Sequence, residues 1–434
     1  MAGLFGVVSK KRCVDDLFFG TFYNQHRAQS YCGLAVCEDG KLRDYPHKGL
    51  ARVNFPKERL DRMNGVYGIG SVSVTREPVA ELSSSGGMIL SVDGNIINRE
   101  QLKDRILRDG GTFSGYRDPE EVTEAVLVSK IVSKAPTFEK GVENLAELVQ
   151  GDFSIVALTN DGVYAARGWG RKPLILGRKD GSYAVSSEST AFANTGFDID
   201  RDVEPGEIVF MDEGGIQSVK KLDLSPVKFG TFEWIYTAYP TSVVDGRSVA
   251  RVRTNIGKAL AKRYPVDADV VSPVPNSGRW HATGFAWESG LPYAELFSRF
   301  DYSDRSYTPA EQGDREEEAR IKLIPNREFI DGQRIVLVDD SIVRGNQMLQ
   351  QVRRLKELGA EEVHVRVACP PLMKACVYGK STKRDEDCIA RRMPVEEIQE
   401  VLDLDSLGFA TVDDLEGAIG MDRDRLCLTC WGED

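Results

Sequence analysis

Hydrophobic and polar positions alternate in two different textures along the chain. In the first half, short apolar or alternating runs (GLFGVVS, YGIGSVSV, GGMILSVDGN, FSIVAL and GVYAAR) are punctuated by Gly and Asn/Asp. That pattern predicts β-sheets, and EEVTEAVLVSKIV predicts one of a few helices between them, an α+β arrangement. The texture changes at LDLSPVKFG, Leu222 to Gly230. Beyond it, helices alternate with buried strands. Arg247 to Tyr264 places Val249, Val252, Ile256 and Leu260 on one helical face, a strand follows at Val270 to Val274, and then comes the loop PNSG. Two domains are expected, 1–225 and 226–434. No repeat of fixed period and no low-complexity tract interrupts them.

The most informative stretch is RIVLVDDSIVRGNQM, Arg334 to Met348. Ile335 to Val338 read as a strand covered on both faces, as in a parallel sheet. The helical face Leu349, Val352, Leu355 and the strand EEVHVRVACP complete a βαβ unit, for which a right-handed crossover is expected. The strand ends in Asp339 and Asp340. Adjacent carboxylates repel each other and lose hydration unless cations or donors face them. In an open parallel sheet, ligands bind beyond the carboxyl ends of the strands. There the loop N–H groups and the helix dipole favour phosphate. A Mg²⁺ on the ligand's own oxygens would answer the repulsion, because Mg²⁺ takes only one or two carboxylates.

Composition narrows the class. The chain has 434 residues, too many for one ordinary core, with 41% hydrophobic and 28% charged residues. A net charge of −11 offers no electrostatic footprint for nucleic acid or an anionic membrane. No apolar run approaches the roughly 20 residues of a membrane span, and MAGLFGVVSKKRC is too short in apolar residues for a signal peptide. A cytoplasmic protein acting on small molecules is expected. Eight cysteines, sparse for this length, point to free thiols or a metal site in place of a disulfide framework.

VLVDDSIVRG resembles the phosphoribosyl-diphosphate (PRPP) loop of type I phosphoribosyltransferases. The ordered set YNQHRAQSYCGLAV, RGWGRKPLILGR, SSEST, RDVEPGEIV, FEWIYTAYPTSVVDGRSV, SPVPNSGRWHATGFAWESGLPY and HVRVACPPL extends the likeness nearly end to end, to the amidophosphoribosyltransferase family. The resemblance implies an αββα sandwich of the N-terminal-nucleophile, class II glutamine amidotransferase type. An α/β phosphoribosyltransferase domain with a parallel sheet would follow it. It further implies a glycosyltransferase of purine-biosynthetic type, Mg²⁺ and a homo-oligomer. Carried over residue by residue, Asp339 and Asp340 would hold the ribose hydroxyls and, with Ser277, Mg²⁺. Ser341, Ile342, Val343, Arg344 and Gly345 would wrap the 5′-phosphate, and Ser277, Gly278 and Arg279 match the diphosphate loop. The chain departs from the pattern where two threonines give way to Asn346 and Gln347, and an acid to Asn276. Amides still donate to phosphate. SRFDYSDRSYTPAEQGDREEEARIKL resembles the family's flap, whose role would be to exclude water; Arg299, Arg305 and Lys322 are its charges of interest.

Members of this family begin with a cysteine that attacks glutamine, its own α-amine serving as base. Here Ala2 stands at that position. Ser73, in GSVSV, occupies the position of an arginine that binds the glutamine carboxylate. Asp93-Gly94 replaces the Asn-Gly of the oxyanion hole, and an anionic Asp would repel the developing charge. An engineered exchange would explain Ala2 alone, whereas three altered parts point to natural loss of glutamine hydrolysis. Cys13, Cys32 and Cys37 read as small buried hydrophobes and His26 as structural. Free ammonia, or an amine from a partner protein, would then attack PRPP. The competing reading is a regulatory homologue that binds PRPP or a nucleotide without turnover.

Cys376, Cys427 and Cys430 match three of four cysteines that ligate a [4Fe–4S] cluster in some members, and Gly230 takes the fourth position. A cluster would need Cys388 or a non-thiolate ligand. The CLTC pair also reads as a remnant or a zinc half-site.

Overall fold

The computed structural model describes residues 1–83, 86–116, 118–300, 322–379, 382 and 384–433. The chain divides into two units, one of Met1–Gly230 with Thr241–Gly246 and Val377–Lys380, the other of Thr231–Pro240, Arg247–Cys376 and Ser381–Asp434. The first unit thus takes in two short segments from later in the chain. Contacts define a domain, so a single boundary in chain order could not include them.

Two antiparallel sheets make the first unit. In the seven-stranded sheet the order is Asp198–Asp202, Ile175–Lys179, Ser182–Ser186, Ala2–Val8, Tyr67–Ser73, Tyr31–Glu38 and Lys41–Lys48. In the six-stranded sheet it is Gly215–Lys221, Glu207–Asp212, Val163–Arg167, Gly151–Leu158, Gly86–Ile96 and Val79–Ser83. Leu4, Val8 and Ile69 of one sheet pack on Ile89, Val156 and Val209 of the other, forming the inner core. Helix Val14–Phe22 buries Leu17 and Phe18 on the outer face of the first sheet. Helices Arg99–Arg108, Glu124–Val132 and Phe138–Leu148 cover the second. The central strands of each sheet are therefore buried on both faces, which explains why Ala2–Val8 is buried throughout and reads as a continuous apolar run. The layering is αββα.

The second unit is built on a four-stranded parallel sheet in the order Val270–Pro273, Arg334–Asp339, Glu362–Val367 and Ser406–Phe409. Ile335, Val336, Leu337 and Val338 are fully buried, as a strand inside a covered sheet requires. Helices Val249–Arg263 and Arg279–Ser289 pack against each other, and Asn346–Glu357 connects two neighbouring strands. Among the described residues no helix is long and apolar enough to cross a membrane.

Candidate functional site

Strands Val270–Pro273 and Arg334–Asp339 run in parallel register, Pro273 opposite Val338, so both deliver their following loops to one edge of the sheet. Val274 N–H donates to the Val338 carbonyl at 2.8 Å and draws the first loop against the second strand. Gly278 then passes so near that strand that a Cβ would stand 2.1 Å from the Val338 oxygen. Only glycine fits there. The Pro275–Asn276 peptide is cis.

Hydrogen bonds join the two loops through the acid pair. Ser277 Oγ donates to Asp339 Oδ1 at 2.9 Å, and the Asp340 N–H donates to the same oxygen at 2.8 Å. Ser341 Oγ donates to Asp340 Oδ2 at 2.6 Å. Burial and the adjacent Asp340 carboxylate push Asp339 well above the usual carboxylate range, against the Ser277 hydroxyl and the Asp340 amide, which pull it down. Two acids in one shielded place cannot both ionise cheaply without a cation. Their all-oxygen donor set fits a hard ion such as Mg²⁺ completed by phosphate oxygens.

Gly345 adopts φ +83° as the residue before helix Asn346–Glu357, a left-handed conformation that favours glycine. Asn346 and Gln347 open that helix and are exposed, while Ile342 is buried. The two arginines of the loops are held by protein carboxylates. Arg279, first residue of helix Arg279–Ser289, meets Glu295 through Nε–Oε1 at 2.8 Å and Nη2–Oε2 at 3.0 Å. Arg344 meets Asp387 at 2.9 Å. Arg299 ends a strand, Phe297–Arg299, that pairs antiparallel with Leu323–Pro325. Arg305, with the rest of 301–321, lies outside the described residues.

Cys430 donates to or accepts from the Cys376 thiol, and Cys427 and Cys369 lie near enough to act on it electrostatically. Cys388 is buried beside Asp385 and Asp387. Among the described residues, no group of three or more His, Cys, Asp or Glu side chains is arranged to hold a metal ion. Cys376, Cys427 and Cys430 alone supply three thiolates, one fewer than a [4Fe–4S] cluster takes.

In the first unit the structure brings Ala2, Ser73 and Asp93 together. Ala2 is opposite Ser73 in the pairing of the first strand with Tyr67–Ser73. The Ala2 N–H donates to Asp93 Oδ1 at 2.8 Å. Arg27 ties these groups together: Nε donates to the Ala2 carbonyl at 2.9 Å, Nη2 to Asp93 Oδ2 at 3.0 Å and Nη1 to Glu188 Oε1 at 2.7 Å. Glu188 also accepts from Ser242 Oγ at 2.9 Å and contacts His26 Nε2 at 2.8 Å. Burial alone would raise the Asp93 carboxyl, but Lys172, Arg27, the chain terminus and the Ala2 amide outweigh it and hold it at about 2. Asp93 is thus an anion with its charge already matched. Ser73 Oγ donates to the Thr75 carbonyl. Gly94 is pressed against strand Gly151–Leu158, where a Cβ would stand 2.5 Å from the Asp152 oxygen.

Arg27, Lys172, Glu188, Glu295 and Asp387 had no assigned role in the sequence. Arg27 and Glu188 lie within QHRAQ and SSEST, two of the stretches that carry the family likeness, yet nothing local shows that they meet. Glu295 and Asp387 carry no motif signal.

A family model described as a glutamine amidotransferase domain matches residues 68–194. The amidophosphoribosyltransferase of Methanocaldococcus jannaschii is 35% identical, covering 99% of this chain and 96% of its own length. That of Methanothermobacter thermautotrophicus is 34% identical over 100% of this chain and 93% of its own. Among solved structures, the glutamine phosphoribosylpyrophosphate amidotransferase from B. subtilis complexed with ADP and GMP superposes with a TM-score of 0.91 at 30% identity. It covers 99% of this chain and 96% of that one.

Proposed function

Because the chain belongs to the amidophosphoribosyltransferase family, an enzyme class of phosphoribosyltransferases, we propose that it transfers the phosphoribosyl group of PRPP to ammonia or another small amine and has lost glutamine hydrolysis. The bond from C1 of the ribose to diphosphate breaks, a C1–N bond forms with inversion, and the amine gives up a proton. Diphosphate leaves with the electron pair.

The reading of the second domain is carried by the Ser277–Asp339–Asp340–Ser341 hydrogen-bonded chain at the strand ends. Asp339 and Asp340 would hold Mg²⁺ and the ribose hydroxyls, and Ser341 to Gly345 the 5′-phosphate. Mg²⁺, when bound, supplies charge neutralisation of the diphosphate. The loop N–H groups orient the substrate. A neutral amine needs no residue to activate it.

Loss of the glutaminase reaction is supported by the Ala2–Asp93–Arg27–Glu188 network. No nucleophile stands at residue 2, no cation at residue 73 awaits a substrate carboxylate, and an ionised carboxylate sits where an oxyanion would need donors. The Arg27 guanidinium is engaged by Asp93 and Glu188.

The test is diphosphate release from PRPP and Mg²⁺, measured with ammonium and then with glutamine. Release with ammonium alone is expected. Release with glutamine would overturn the account of the first domain. A second reading, a regulator that binds PRPP without turnover, is favoured by Arg279 and Arg344 both lying on protein carboxylates. Tight PRPP binding with release under neither condition would select it. A screen of amine acceptors then names the substrate.

A further inference from the structure

Beyond the two strand-end loops, the phosphate loop is clasped by the segment around Asp387 at three points. The Asp387 carboxylate binds the Arg344 guanidinium at 2.9 Å, the aspartate side chain 11% exposed and the arginine 46%. Ile389 N–H donates to the Val343 carbonyl at 2.8 Å. The Ile389 and Leu402 side chains close over Gly345, where a Cβ would stand 3.1 Å from Ile389 Cδ1 and 3.3 Å from Leu402 Cδ2. The clasp is itself anchored. Asp385 accepts the Ala375 N–H at 2.9 Å and faces Arg391 at 3.5 Å, while Arg384 flanks Asp387 at 3.5 Å.

A glycine-bearing loop that must aim several N–H groups at one phosphate samples many shapes when free, and its affinity falls by the fraction of time it spends in the wrong ones. One ion pair, one backbone hydrogen bond and an apolar cover restrict that freedom. We propose that Asp387 is a positioning residue for phosphate recognition, holding Arg344, and through it Ser341 to Gly345, in the shape that receives the sugar phosphate. This rests on the PRPP reading of that loop given above.

The experiment titrates PRPP with Mg²⁺ into the full chain and into D387N, D387E, R344Q and the D387N/R344Q double variant, by calorimetry, with KM and kcat measured alongside. D387N is expected to weaken PRPP binding about fivefold, a size set by a pair with one partly exposed member. Its KM should change more than its kcat, because the loop's shape matters to binding and less to the bound state. D387E should recover most of the affinity. Since Asp387 acts through Arg344, the double variant should bind within about twofold of R344Q, without multiplication of the single losses. Unchanged affinity in D387N, losses that multiply, or a loss confined to kcat would each overturn the proposal. Should D387N fail to fold, unchanged affinity in R344Q overturns it and a loss with the KM-weighted split supports it. If the parent chain itself does not bind PRPP, it is the reading of the loop that falls, and the proposal with it.

Discussion

Arg27 Nη2 stands 3.0 Å from Asp93 Oδ2, with both side chains shut away from solvent. The same guanidinium reaches Glu188, so one cation bridges two buried anions contributed by distant parts of the chain. Such a cluster is stable only when complete, because an unmatched buried charge costs far more than the pair contributes.

Asp93→Asn removes one anion and leaves Arg27 with Glu188 alone. It should lower unfolding free energy by about 2 kcal/mol, less than the loss of an isolated buried pair because Glu188 remains. Urea denaturation of the two proteins checks this. An Asp93→Asn protein as stable as its parent would mean that the network is not what holds this corner.

Restoring the nucleophile should not restore the reaction. Ala2→Cys is expected to release no glutamate from glutamine above background, because Ser73 supplies no cation and Asp93 presents acceptors where an oxyanion needs donors. Glutamate release by that single variant would instead identify Ala2 as the one defect in an otherwise working site.

At the phosphate loop, Asp339→Asn and Asp340→Asn should each weaken Mg²⁺-dependent PRPP binding by about tenfold to a hundredfold, the range of one charged interaction. Chelation of Mg²⁺ in the parent protein should do the same. Affinity that ignores both carboxylates would remove the basis of the enzyme reading.

Gly278→Ala introduces a Cβ 2.1 Å from the Val338 carbonyl oxygen, closer than any atom pair tolerates. The loop must move, costing about 2 kcal/mol in strain and displacing Ser277 from Asp339. Thermal unfolding and PRPP titration should both register it.

Glu77 gives a pH signature. Burial pushes its carboxyl up to about 7, with Glu124 and Asp93 adding to the rise and the Val92 amide and Thr75 hydroxyl opposing it. The folded state therefore holds this proton at pH values where the unfolded chain has released it. Its contribution favours folding below the ordinary carboxylate pKa and is lost as pH climbs toward 7. Glu77→Gln, which stays neutral, should gain about 3 kcal/mol relative to the parent between pH 4.5 and pH 8. Parallel stability curves for the two proteins would contradict the assignment.

Local pattern alone determined much of this protein. Ile335 to Val338 form a buried strand because four consecutive apolar residues tolerate no exposed face, and the glycine at 345 follows from the turn before a helix. Two acids at a parallel strand end already implied a cation and a phosphate. The tertiary structure decided what the charges do. Arg27 is 66 residues from Asp93 and 161 from Glu188, and Arg344 finds Asp387 across an intervening helix, strand and loops. Electrostatic partners are chosen by proximity in space and by shielding from water. Neither leaves a periodicity in the chain, so the sequence could bring forward the acid pair at the strand end, while only the fold could show what pairs with Asp93 and what clasps the loop that follows Asp340.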